Sequence, residues 1–119
     1  MSFETVVTAE TAFLHIAAIG VFSTKDMVKF VDHAFLECET REAEKVLLDC
    51  SRIVGEMSEA DRFRGGQYYA ELFGPLIKGA IVLAAGQVTK LGELAARNRG
   101  ADLLVTDSIT EAVDWLISG

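Results

Sequence analysis

Proline and cysteine are scarce here, one and two among 119 residues. So little proline excludes a collagen-like chain, and two cysteines cannot make a disulfide-dense scaffold. Cys38 and Cys50 are also too few for a zinc site and too far apart for a redox CxxC pair. They read as reduced core thiols, which points to a cytoplasmic protein. Bases are outnumbered, 11 against 18 acids, and the net charge is −7. That balance argues against nucleic acid and anionic membrane surfaces as main partners, because both repel an acidic chain. The longest apolar stretch, Phe13 to Phe22, is interrupted by His15 and Gly20. It falls short of the ~20 residues a membrane span needs, so no span is expected. Met1 to Thr5 lacks the basic stretch and long apolar run of a signal peptide. What is present is ordinary for a globular protein: half the residues are apolar and 24% are charged. The length suits one domain, taken as residues 1–119.

Periodicity orders the chain. Phe3 to Thr8 alternates with Phe3, Thr5 and Val7 on one face, a strand pattern, and an apolar second strand runs from Ala12 to Phe22. Strands this close pair as an antiparallel hairpin. From Ser23 the period becomes helical: Met27, Phe30, Val31, Ala34, Phe35 and Cys38 form a buried stripe, with Ser23 as N-cap. Lys45 to Cys50 is a short apolar strand. A helix from Ser58 to Phe73 follows, closed by Gly74-Pro75, with Phe63, Gly66, Ala70 and Phe73 as its core stripe. Ile77 to Ala85 is a strand and Gln87 to Asn98 a helix, ending in cations and a glycine. Leu103 to Val105 is the last strand. Ser108 and Glu111 predict a capping box on a closing helix that buries Ile109, Ala112, Val113 and Leu116. The order ββαβαβαβα implies an α/β fold with one mixed, mostly parallel five-stranded sheet and four helices.

Chemical signatures are few. There is no GxxxxGK[ST] loop, and Gly86 stands alone at a strand–helix turn, where a tight turn is a sufficient role. His15 lies in an apolar strand and His33 among core positions of the first helix, with no HxxxH or HExxH spacing. Neither catalytic residues nor a bound cofactor or metal is expected. A Cys/His pair using Cys50 or His15 is the one enzymatic reading left open, against a thiol that burial keeps protonated. Tyr68 and Tyr69 leave the core stripe of their helix and suit the rim of a pocket or an interface.

The segment Val46-Leu47-Leu48-Asp49-Cys50-Ser51, followed by a short loop and a serine opening a helix, resembles the STAS domain family. That family includes the SpoIIAA-like anti-sigma-factor antagonists, and the element order is similar over the whole chain. Asp61-Arg62-Phe63, Ile77 to Val82, Asn98-Arg99-Gly100 and Glu111 to Leu116 recur in this order in small bacterial STAS-like proteins. The resemblance implies a non-enzymatic regulatory domain that binds a protein partner. It also makes Ser58 the phosphoacceptor candidate, while Ser51 reads as a loop cap and not as an acceptor. In the antagonists the acceptor sits in an Asp-Ser-Ser-Gly-type sequence, whereas this chain reads Glu56-Met57-Ser58-Glu59-Ala60-Asp61. Acids beside the hydroxyl repel an incoming phosphate donor, so a phosphoswitch is disfavoured. The expected partner surface is Arg52, Glu56, Glu59, Arg62, Arg64, Tyr68 and Tyr69. The alternative is a small apolar or lipid-like ligand held between sheet and helices, since the STAS fold is similar to lipid-carrier domains. A homodimer is compatible with either reading.

Overall fold

The computed structural model describes residues 3–55 and 58–118. Five strands form one sheet: β1 (Phe3–Ala9), β2 (Leu14–Val21), β3 (Lys45–Val54), β4 (Lys78–Leu83) and β5 (Leu103–Thr106). Helices α1 (Thr24–Thr40), α2 (Glu59–Phe73), α3 (Leu91–Asn98) and α4 (Ile109–Ile117) complete the expected ββαβαβαβα order. The spatial order of strands is the same as their order in the chain, with β1 antiparallel to β2 and every other pair parallel.

That order determines where the helices go. Three consecutive crossovers step the sheet in one direction, and right-handed crossovers then place their helices on one face. The main core accordingly gathers Ile16, Leu48 and Val105 from the strands with Phe30, Ala34 and Cys38 from α1 and Tyr69 and Phe73 from α2. The α1 stripe is buried at Met27, Phe30, Val31, Ala34 and Cys38, as its spacing predicts. Ser23 opens this helix with a reciprocal capping box: its hydroxyl accepts from the Asp26 N–H and Asp26 accepts from the Ser23 N–H. Only α4 crosses to the opposite face, where Ala112 and Leu116 pack on Leu47, Ala80 and Val82. Ser108 caps α4 through the Glu111 N–H at 3.1 Å, while Ile109 stays exposed rather than joining the core.

Both ends of the sheet are edges, and β5 is covered by side chains. Glu93 accepts from the Val105 N–H at 2.7 Å, Lys90 donates to the Val105 carbonyl, and Arg97 donates to the Leu103 carbonyl at 2.7 Å. These bonds occupy backbone groups that another strand would otherwise pair with. They also explain why α3 begins at Leu91 rather than at Gln87. Residues 87–89 are not helical, and Lys90, the N-cap at which α3 starts, takes a left-handed backbone, φ +64°, with its ammonium bonded to β5. Gly86 is therefore a turn residue four positions before the Lys90 N-cap, and not the opening of a helix.

Candidate functional site

The junction between β3 and α2 is where the sequence placed both the switch serine and the partner surface. Ser58 is exposed and caps α2, its Oγ accepting from the Asp61 N–H at 3.1 Å. The Asp61 carboxylate accepts from the Thr24 hydroxyl at 3.0 Å and lies 3.9 Å from Arg64, which ties the start of α2 to the start of α1. Glu59 and Asp61 stand in the first turn, where negative charge suits the helix dipole and opposes a phosphate on Ser58.

The expected partner surface divides into parts. Glu59 and Arg64 are exposed on α2, and Tyr68 is half-buried beside them, its hydroxyl donating to Asp32 of α1. That bond, with smaller contributions from desolvation and nearby acids, raises the Tyr68 pKa. Arg62 points inward instead, donating to the carbonyl and, at 2.9 Å, to the side-chain oxygen of Gln87. Tyr69 is 1% exposed and stacks on Phe73 with ring centroids 4.2 Å apart, so it belongs to the core and not to a surface. Phe63 is 42% exposed and leaves the stripe predicted for it. The buried face of α2 is Gly66, Tyr69, Ala70 and Phe73, a rotation brought about by the close approach of Gly66 to Gly92 on α3. Glu56 lies outside the described residues.

Arg52 is separated from the others by the sheet itself. The third strand runs to Val54 rather than stopping at Cys50, and an extra residue at its register shift against β2 resets the alternation for residues 52–54. Ile53 packs into the main core beneath the helices, which turns Arg52 to the opposite face. Ser51 is likewise a strand residue; its N–H and hydroxyl donate to the same Asp49 oxygen, at 3.0 and 2.6 Å. Its role is to hold Asp49 at the irregularity where the β2–β3 register shifts.

Parity also divides the candidate nucleophile pair. Cys50 lies in the main core, whereas His15 is on the other face, with Nε2 3.9 Å from Asp49. Burial, then the Asp49 charge, pushes the Cys50 thiol up to about 12; burial, then Glu37, pushes Cys38 up to about 11. Neither sulfur is a thiolate at neutral pH. Among the described residues no group of three or more His, Cys, Asp or Glu is placed to hold a metal ion, and no helix is long and apolar enough to cross a membrane.

Beneath α2 lies a feature that no sequence motif announced. A cavity of about 140 Å³ is bounded by Leu48, Cys50 and Ile53 of β3, Ile81 and Leu83 of β4, Met27 and Phe30 of α1, and Gly65, Gly66 and Tyr69 of α2. The lining also includes two polar pairs, Arg62 with Gln87 and Lys90 with Glu93. Glycines 65, 66 and 92 are part of its wall, where the missing side chains let α2 approach Met27 and α3 closely.

Comparison with known proteins rests on this geometry, since no family model and no curated protein matches the chain. An anti-sigma factor antagonist from Mycobacterium paratuberculosis superposes with a TM-score of 0.67 at 12% identity, covering 97% of this chain and 94% of that one. The fold is STAS-like. An uncharacterized protein from Shewanella loihica with a SpoIIAA-like fold is similar at a TM-score of 0.54 and 17% identity, covering 97% of this chain and 93% of that one. Ser58 is the N-cap of α2, and Phe63, five residues further on, is exposed.

Proposed function

We propose that this chain is a cytoplasmic regulatory domain without catalytic chemistry of its own, which docks a protein partner on the outward face of α2. The exposure of Phe63 carries this reading. A large aromatic, flanked by Glu59 and Arg64 and left outside the core by its own helix, has the composition of an interface anchor with a polar surround. The likeness in fold to an anti-sigma factor antagonist supports a binding role. In this reading Ser58 acts as a helix cap, because Glu59 and Asp61 oppose a phosphate there. Capture from an extract of the source organism tests the surface. Immobilised wild-type chain is expected to retain a stoichiometric protein that a Phe63→Ala, Arg64→Glu chain loses by about tenfold or more. Ser58→Ala is expected to keep the partner while losing about 1 kcal/mol of stability, the usual cost of an N-cap. Undiminished capture by the Phe63, Arg64 double variant assigns binding to another surface.

The cavity supports a second reading, a small apolar ligand. Its volume of about 140 Å³ matches the roughly 150 Å³ apolar cavities that admit benzene, and is below that of ordinary drug-sized pockets. A short chain end or a single ring fits, with a polar head toward Arg62 and Lys90. Native mass spectrometry of detergent-free preparations is expected to show a bound mass that Gly65→Leu displaces. Bare protein in every preparation excludes this ligand.

A further inference from the structure

Among the described residues, the winding of the sheet leaves one half-face without a cover. Helices α1, α2 and α3 occupy one side, and α4, nine residues long, packs on β3, β4 and β5 of the other. The α4-side face of β1, β2 and the end of β3 therefore meets solvent. It carries Val6, Val21 and Val54, each more than half exposed, around Ile19. Single exposed apolar residues are unremarkable, but four on adjoining strands form a patch.

The charges on this patch have a specific layout. Glu4 is paired in register with Ile19, and Ile19 with Arg52, so one row across three strands reads acid, apolar, base. At roughly 4.8 Å per strand, the outer two backbones are about 10 Å apart. Among the described residues neither Glu4 nor Arg52 makes an ion pair. A second copy of the chain offers each of them a partner. A two-fold axis parallel to β2 and passing over Ile19 brings Glu4 against the partner's Arg52, Arg52 against the partner's Glu4, and Ile19 against the partner's Ile19. An axis across the strands would set Glu4 on the partner's Glu4, which like charge opposes. In the neighbouring row Asp49 is drawn back by its two bonds from Ser51, so it does not project into the contact.

We propose that this half-sheet is a self-association face, on which two copies stack sheet to sheet with reciprocal Glu4–Arg52 pairs around an Ile19 centre. The arrangement is isologous and closes at two copies, as point-group dimers do. Stacked sheets lie about 10 Å apart, a gap these two side chains can bridge from opposite sides. The proposal is independent of the α2 docking surface, which lies on the other side of the sheet.

Sedimentation equilibrium over a micromolar-to-millimolar concentration series tests it on four full-length chains: wild type, Glu4→Arg, Arg52→Glu and the double swap. Circular dichroism melts verify that each chain folds. The wild type is expected to dimerise, and each single reversal to weaken the dimer about tenfold or more by juxtaposing like charges. The double swap is expected to recover dimerisation to within a few-fold of wild type, because the pairs are re-formed with opposite sign. A wild-type chain that stays monomeric throughout, bare or covered by another protein, overturns the proposal. Equal dimerisation by all four chains overturns it too, as does a folded double swap that remains monomeric.

Discussion

Gly66→Ala is expected to destabilise the protein by about 2 to 3 kcal/mol, although alanine is the better helix former by about 1 kcal/mol. A Cβ at this position would lie 2.1 Å from the Gly92 carbonyl oxygen, 2.9 Å from its carbon and 3.0 Å from its Cα. All three are backbone atoms, so no rotamer change can relieve the clash. Helix α3 must move as a body, and it is not free to do so. Its residues Glu93 and Arg97 bond the Val105 N–H and the Leu103 carbonyl, and displacement gives up contacts that satisfy the β5 edge. The preceding glycine provides the contrast. A Cβ at Gly65 would meet Met27 at its sulfur, 2.7 Å away, and its methyl, 3.2 Å away. A methionine end can rotate aside. Gly65→Ala should therefore stay within about 1 kcal/mol of wild type, the propensity gain offsetting a repacked Met27. Urea denaturation of the two variants measures the difference. If Gly66→Ala unfolds at the wild-type midpoint or above it, the helix crossing is looser than described.

The second large effect joins α2 to the start of β4. Gly79→Ala would place a Cβ 1.8 Å from the Tyr69 hydroxyl and 3.0 Å from the ring carbon that bears it. Tyr69 cannot swing away, because its ring is buried and stacked on Phe73. A loss of about 3 kcal/mol is expected. The same hydroxyl has no hydrogen-bond partner among the described residues, and burying it unpaired costs about 1 to 3 kcal/mol. Burial foremost, then Cys38 and Asp102, holds its pKa above the ordinary tyrosine value, so it stays neutral. Tyr69→Phe should consequently leave stability unchanged or raise it by about 1 kcal/mol, with the small void left behind opposing the gain. Combining Tyr69→Phe with Gly79→Ala removes the nearer of the two clashing atoms. The double variant should regain most of the loss, a coupling of about 2 kcal/mol in a double-mutant cycle. Strict additivity of the two changes would show that the hydroxyl and Gly79 are not in contact.

These two glycine positions show why the candidate site was only partly legible in the sequence. The α1 stripe could be read directly, since apolar residues at helical spacing have one way to face a core. On α2 the aromatic residues Phe63, Tyr68, Tyr69 and Phe73 admit more than one rotation of the helix. The Gly66–Gly92 approach selects the rotation that buries Tyr69 and exposes Phe63. Both residues of that contact were visible, but nothing local says that two glycines 26 positions apart will meet. Arg52 was misplaced for a different reason. Read as a loop residue it shares a surface with Glu59 and Arg64, whereas as a strand residue next to core-facing Ile53 it belongs to the opposite face. One residue of parity exchanges the two sides of a sheet.

Local signals were sufficient for the kinds of element and their succession. Hydrophobic period, the Ser23, Ser58 and Ser108 caps and the Gly74 stop act over a few residues and need no tertiary partner. Strand order, the covered and open faces, the cavity under α2 and the split of the expected partner surface were decided only when the chain closed on itself. They depend on the direction of the crossovers and on backbone approaches between distant residues. Such contacts arise from how elements share one sheet, and no single element encodes them.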